Sequence, residues 1–248
     1  MIILAIIPSI ILFFIVWKYD TIEKEPIGLL MKLIGAGALT LVSAEVIGLL
    51  GEKLLKFILK DSSSLLYIFI FSFVLIGLVE ELGKFVVLKL ITWKNKEFNY
   101  TFDAIVYAAM VSLGFATVEN IIYVILHGSG ASLFRVIFSA PGHMIYAVFM
   151  GYFYGLARLH KSEGNDGKAM ISLISALVVP TAMHGFYQLC LNTKKPVYIV
   201  LFVIYEILVA LVCVKQFLKL SKEDKEIPEM EFNFSEEAWE GGADEGKM

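Results

Sequence analysis

Seven runs of about twenty apolar residues, set apart by short polar breaks, constrain this chain more than any other feature. They cover 2–17, 29–51, 66–92, 102–126, 132–159, 169–192 and 197–219 of its 248 residues. A run of that length spans the hydrocarbon core of a bilayer. Lipid offers no partner to a free backbone N–H or C=O, so each run is read as a helix. "DSSS" (61–64), "WKNKEFNYT" (93–101), "HGSG" (127–130), "KSEGNDGK" (161–168) and "NTKKP" (192–196) are turn-like breaks. The expected fold is an all-α polytopic membrane bundle of seven helices; a separate short helix over 53–60 would make eight. The 58% hydrophobic composition belongs to the same class. The run "MIILAIIPSIILFFIVW" lacks a basic start and a small-residue cleavage site, so it reads as a retained first span.

Charge divides the chain into a membrane body, 1–220, and an acidic tail, 221–248. The tail carries ten Asp/Glu against three Lys, whereas the body carries 18 basic and 14 acidic residues. So acidic and apolar-poor a segment cannot offset the entropy of ordering it and reads as a solvated cytoplasmic tail. Lys and Arg near the span ends number twelve on the side holding the 18–24 turn and six on the side holding the N-terminus. The richer side is expected to be cytoplasmic, with the N-terminus outside the plasma membrane and the C-terminus inside. No basic stripe or recognition motif suggests nucleic-acid binding. Cys190 and Cys213 lie in apolar runs and read as small buried side chains.

Ionisable residues inside the spans are costly and therefore informative. They are Glu45, then Glu80, Glu81 and Lys84 within "LIGLVEELGKFVVLKLI", then Glu119, His143, His184 and Glu206. With a rise of about 1.5 Å per residue, Glu80, Glu119, His143 and His184 fall in or near the middle third of four different helices. One shared cavity can therefore receive all four. Glu80 and Lys84 are four apart and neighbours on one helix face. Gly77, Gly83, Gly114, Ala116, Gly142 and Gly185 surround these positions and suit close helix approach. Glu45 and Glu206 have no partner nearby in sequence and read as structural.

Carboxylates and imidazoles sharing a buried cavity can activate water. A carboxylate serves as base and an imidazole polarises the water or binds the oxyanion. The same residues also suit zinc, with one carboxylate left as base. On this reading Glu119, His143 and His184 are the metal ligands. Glu80 takes the proton, held ionised by Lys84. The rival is metal-free catalysis with Glu119 protonated or bonded to Asn120.

Four short motifs lie in order on these helices. "EELGK" (80–84) resembles the E-E-x-x-K motif of the PrsW intramembrane proteases, and "FATVE" (115–119) their F-x-x-x-E motif. "PGHMIYAVFMGYFYG" carries a single histidine, His143, before a glycine-bearing helix, and "MHGFYQ" resembles their H-G-x-x motif through His184 and Gly185. "YDTIEKEP" (19–26) is similar to the D-x-x-E-x-E-P signature after the first span. The likeness covers most of residues 1–190. It implies a site-1-type protease that cleaves a single-span anti-sigma factor, and distant kinship to the type II CAAX prenyl endopeptidases. By that likeness Glu80 and Glu81 carry catalysis with His184 closely involved, and Lys84, placed to hold Glu80 charged, completes the expected catalytic set. Family members often carry Asp or Asn soon after the H-G pair, where this chain has Gln188. A proton- or ion-coupled transporter is the competing class, since intramembrane Glu and His also build proton relays. The chain shows no internal repeat of the kind many transporters carry.

Overall fold

A computed structural model describes residues 2–127, 129–193 and 195–229, with the backbone alone for 129–137. Residues 230–248, most of the acidic tail, lie outside the described set, as does Gly128 within the expected 127–130 break.

The helices run in the expected order: α1 (Ile2–Tyr19), α2 (Ile27–Leu59), α3 (Leu65–Ile70), a π-helical segment (Phe71–Leu78), α4 (Val79–Thr92), α5 (Asp103–His127), α6 (Ser129–Ser162), α7 (Asp166–Thr193) and α8 (Pro196–Lys222). α3, the π segment and α4 form one continuous span, Leu65–Thr92. Six of the resulting seven rods are long and apolar enough to cross a bilayer, and α6 is the seventh. No separate eighth helix forms over 53–60, because α2 continues to Leu59 and stops at Lys60, whose φ is 52°.

α5 is the central rod. It packs against α1, α2, α4 and α6, and every residue from Phe102 to Ala116 is buried. Its crossing with α2 depends on two glycines. A Cβ at Gly37 would stand 1.9 Å from the Val111 carbonyl oxygen, and one at Gly114 would stand 2.0 Å from that of Ile34. Another close crossing joins the π segment to α7, where a Cβ on Gly185 would stand 2.4 Å from the Phe73 ring. Gly83 and Gly142, expected to work the same way, meet only ordinary contact or open space. α8 is peripheral; almost none of its most apolar stretch is buried.

The bundle alternates, so the turns at 20–26 and 93–102 and the segment after α8 share one end. There the chain is fastened by polar contacts. Tyr100 and Glu226 form an antiparallel bridge, with Thr101 N–H donating to Lys225 O (2.9 Å) and Ile227 N–H to Asn99 O (2.6 Å). Asp224 Oδ1 accepts from Phe102 N–H (2.7 Å) and the Thr101 hydroxyl (3.0 Å). Asp103 Oδ2 accepts the N–H groups of Asn99 (3.1 Å) and Tyr100 (2.7 Å). Tyr107 donates to Glu25 Oε2 (2.5 Å), and Asn99 donates to Glu23 Oε2 (3.0 Å). The acidic residues of 19–26 thus hold loops together, and residues 223–227 belong to the folded body.

Candidate active site

The span Leu65–Thr92 changes winding just before its charged residues. The wider π turn ends at Leu78, and Glu80 and Glu81 open the α-helix that follows. π turns recur at functional sites because they re-aim the side chains after them. Gly77 lets this part of the helix approach the α7 backbone, where a Cβ would stand 3.0 Å from Gly185 N. His184 is the neighbour of that glycine. Close approach therefore places Glu80 and Glu81 against His184.

Glu81 is wholly buried. Its Oε1 accepts from Lys84 Nζ (2.8 Å) and from His184 Nδ1–H (3.0 Å). Lys84, 1% exposed, also donates to His143 Nδ1 (3.0 Å), lies 3.8 Å from Glu80 Oε2 and sits 4.1 Å above the Phe115 ring centroid. An ammonium has donors only, so His143 accepts at Nδ1 and carries its proton on Nε2. That Nε2–H points to Glu119 Oε2 at 3.1 Å, which also accepts from the Ser139 hydroxyl (3.2 Å). His184, donating through Nδ1 to Glu81, is left with a lone pair on Nε2, and the Gln188 amide is 3.4 Å away. The two imidazoles stand edge to face, 5.4 Å apart. Buried charge is tolerated here because each charged group has an opposite or hydrogen-bonding neighbour.

All the candidate site residues therefore meet: Glu80, Glu81, Lys84, Glu119, His143 and His184. Their grouping differs from expectation in one respect. Ligand atoms of Glu80, His143 and His184 lie within 4.8 Å of one another, whereas Glu119 is seen beside His143. The donor set, two imidazoles and a carboxylate, is one that catalytic zinc sites use. Two further features fit a cation. Glu80 Oε2 is buried and accepts no hydrogen bond. The Glu81–His184 contact is the carboxylate–histidine pairing that fixes a metal-binding tautomer.

Two cavities open onto this cluster. One, of about 250 Å³, is lined by His143, His184, Tyr146, Tyr187, Phe138 and Phe202 among others. The second, of about 260 Å³, is lined by Glu45, Glu52, Glu80, Glu119, Leu75 and Gly48 among others. Glu119 and Gln188 border both. Sequence reasoning left Glu45 structural, yet it shares a cavity with Glu80. Glu45, Gly48 and Glu52 fall three and four residues apart on one face of α2, a spacing that could have signalled a wet groove. Glu206 lines neither cavity. Tyr146, stacked on His184 with ring centroids 5.0 Å apart, had no signal beyond its place three residues after His143.

Residues 25–214 match the family model described as PrsW family intramembrane metalloprotease. The protease PrsW of Clostridioides difficile is 32% identical over 229 residues, covering 90% of this chain and 92% of that protein. Those of Oceanobacillus iheyensis and Bacillus subtilis are 31% and 30% identical over 188 and 189 residues, 76% of this chain and 81% of each relative. No solved structure matches the chain. With its four helix motifs gathered into one site, the chain belongs to the PrsW family of intramembrane metalloproteases.

Proposed function

We propose that this chain hydrolyses one peptide bond of a single-span membrane protein, and that the substrate is an anti-sigma factor, the class implied by the resemblance. The observation that carries the reading is the convergence of Glu80, His143 and His184 ligand atoms within 4.8 Å at the meeting of two cavities. A zinc ion would be held by these three residues, and when bound it polarises a carbonyl and brings the pKa of its water toward about 7. Glu81 fixes the His184 tautomer and Lys84 fixes Glu81, whereas His143, engaged at both ring nitrogens by Lys84 and Glu119, would release one of these contacts to hold the ion. Glu119 borders both cavities and is the proton acceptor for the attacking water. This exchanges the sequence-based roles of Glu80 and Glu119.

The aromatic cavity suits an extended peptide from the substrate span. The acid-lined cavity suits water, because Glu45 is exposed and, with Glu52 on the same face of α2, needs hydration at that depth. The end of the bundle holding the α2–α3 turn is assigned to the cell exterior, in keeping with the Lys/Arg distribution.

The test is cleavage of a purified single-span substrate. Glu80→Gln and Glu81→Gln are expected to keep the fold and to lower the rate at least about 10²-fold. Near-normal cleavage by both variants would refute the assignment. For orientation, a cysteine at Ser63 is expected to react with an impermeant thiol reagent in intact cells and one at Lys96 is not; both positions are exposed.

A further inference from the structure

Tyr146 has a hydroxyl for which the fold itself provides no use. The side chain lies on α6, one turn after His143, and is 2% exposed. Its ring stacks on His184 at an interplanar angle of 20° and meets the His143 ring edge-on, with centroids 6.2 Å apart. Phenylalanine could make both contacts. The hydroxyl is buried and has no hydrogen-bond partner. A buried tyrosine O–H ordinarily finds an acceptor, because desolvating it without one is unfavourable.

The surroundings indicate what the acceptor is. Tyr146 lines the aromatic cavity together with both histidines. Next to it in that cavity is Gly142, where an added Cβ would stand 4.0 Å from the Tyr146 oxygen and meet nothing closer. The space beside the hydroxyl is therefore open. Ser139 and His143 Nε2–H are engaged with Glu119, the Gln188 amide sits beside His184, and Tyr123 and Tyr187, which also line the cavity, have partners of their own.

We infer that the Tyr146 hydroxyl is a catalytic residue that donates a hydrogen bond to the carbonyl oxygen of the scissile peptide and to the oxyanion formed from it. The inference rests on the protease reading above. Attack forms a bond between the water oxygen and the carbonyl carbon, and the water's proton passes to Glu119. The carbonyl π pair moves onto oxygen, where the Tyr146 O–H stabilises it. Collapse restores the C=O bond and breaks the C–N bond, and the proton held by Glu119 goes to the departing nitrogen. The second water proton is released as the new terminus ionises. Water is the sole co-reactant. A donor aimed at developing negative charge acts mainly in the transition state, so its loss lowers kcat more than it raises KM.

The experiment compares wild type, Tyr146→Phe and Tyr146→Ala for cleavage kinetics and thermal unfolding in detergent, with Glu80→Gln as a control. Tyr146→Phe is expected to lower kcat by about 10²–10³-fold, the effect of removing one oxyanion donor. Its KM should stay within about twofold, where uniform binding would have moved it. Its unfolding temperature should match wild type, while Tyr146→Ala unfolds earlier from loss of the stacked ring. Wild-type kcat in Tyr146→Phe would overturn the inference, as would a loss of activity matched by an equal loss of stability in both variants. An active Glu80→Gln control would instead overturn the place of Glu80 in the site, and absence of cleavage by wild type would overturn the protease reading itself.

Discussion

Two polar clusters lie in this chain, one at mid-bundle and one where the 20–26 turn, the 93–102 loop and the segment after α8 meet. Both are rich in carboxylates, and each buries some of them, Asp20, Glu25 and Asp103 at the end and Glu81 at mid-bundle. At the end cluster, Asp103 and Asp224 accept backbone N–H groups, and Glu23 and Glu25 accept side-chain donors from the neighbouring loop and helix. Such bonds fasten segments and leave little to exchange. At mid-bundle, Glu80, Glu81 and Glu119 face an ammonium and two imidazoles, whose bonds can be remade around a cation or a water. The residue type is shared; the partners decide whether a carboxylate fastens or reacts.

The largest effect separating the clusters comes from breaking the mid-bundle pair on one side only. Glu81→Leu deprives buried Lys84 of its closest partner and His184 of its orienting acceptor, and is expected to cost about 3–5 kcal/mol of stability and to stop cleavage. The double variant Glu81→Leu/Lys84→Met should recover much of the stability and none of the activity. Thermal unfolding and cleavage measured together check this; a double variant no more stable than the single one would contradict it.

Asp224→Ala should behave in the opposite way. It removes the acceptor for Phe102 N–H and the Thr101 hydroxyl and is expected to cost about 1–3 kcal/mol. Because the site is at mid-bundle, kcat of the folded fraction should be unchanged. A fall in kcat beyond the loss of folded protein would show that the end cluster is coupled to the site.

The smallest effect is a pH dependence. Burial pushes the Glu25 carboxyl from its ordinary 4.5 up to about 7, against the Tyr107 hydrogen bond that pulls it down. Burial likewise pushes Asp20 from 3.8 up to about 6, against the attraction of Lys24. The folded state then holds these protons more tightly than the unfolded chain. Their contribution is fullest below about pH 4 and is lost as the pH rises to about 7. Unfolding temperature should fall over that window, and Glu25→Gln should flatten the slope. An unchanged slope in Glu25→Gln would remove Glu25 as the source.

The helices and the mid-bundle residues were legible in the sequence for one physical reason. Hydrocarbon penalises charge, so Glu80, Glu81, Lys84, Glu119, His143 and His184 stand out against apolar runs. Their depth could be counted along a regular helix. What could not be read has no such contrast. The π turn over Phe71–Leu78 has the composition of any apolar span. Tyr146 is an ordinary residue for a membrane helix, and only its orphaned hydroxyl distinguishes it. The grouping of Glu80, rather than Glu119, with the two histidines depends on side-chain reach within a few ångströms, below what helical depth resolves. Asp224 gave no sign of pairing with the 99–102 loop, because an acidic residue in an acidic segment has no pattern to break.

In the proposed mechanism Glu80, His143 and His184 hold a metal ion while Glu119 moves the proton. Metal content of the purified proteins, measured beside substrate cleavage, tests it most directly. Wild type and Glu119→Gln are expected to carry about one zinc per chain, the number that one such site holds. Glu119→Gln should nonetheless be slowed by about 10²–10⁴-fold, the usual worth of a general base. Glu80→Gln should lose both the zinc and the activity. Full cleavage by wild-type protein free of stoichiometric metal, or zinc lost from Glu119→Gln but kept by Glu80→Gln, would contradict the account.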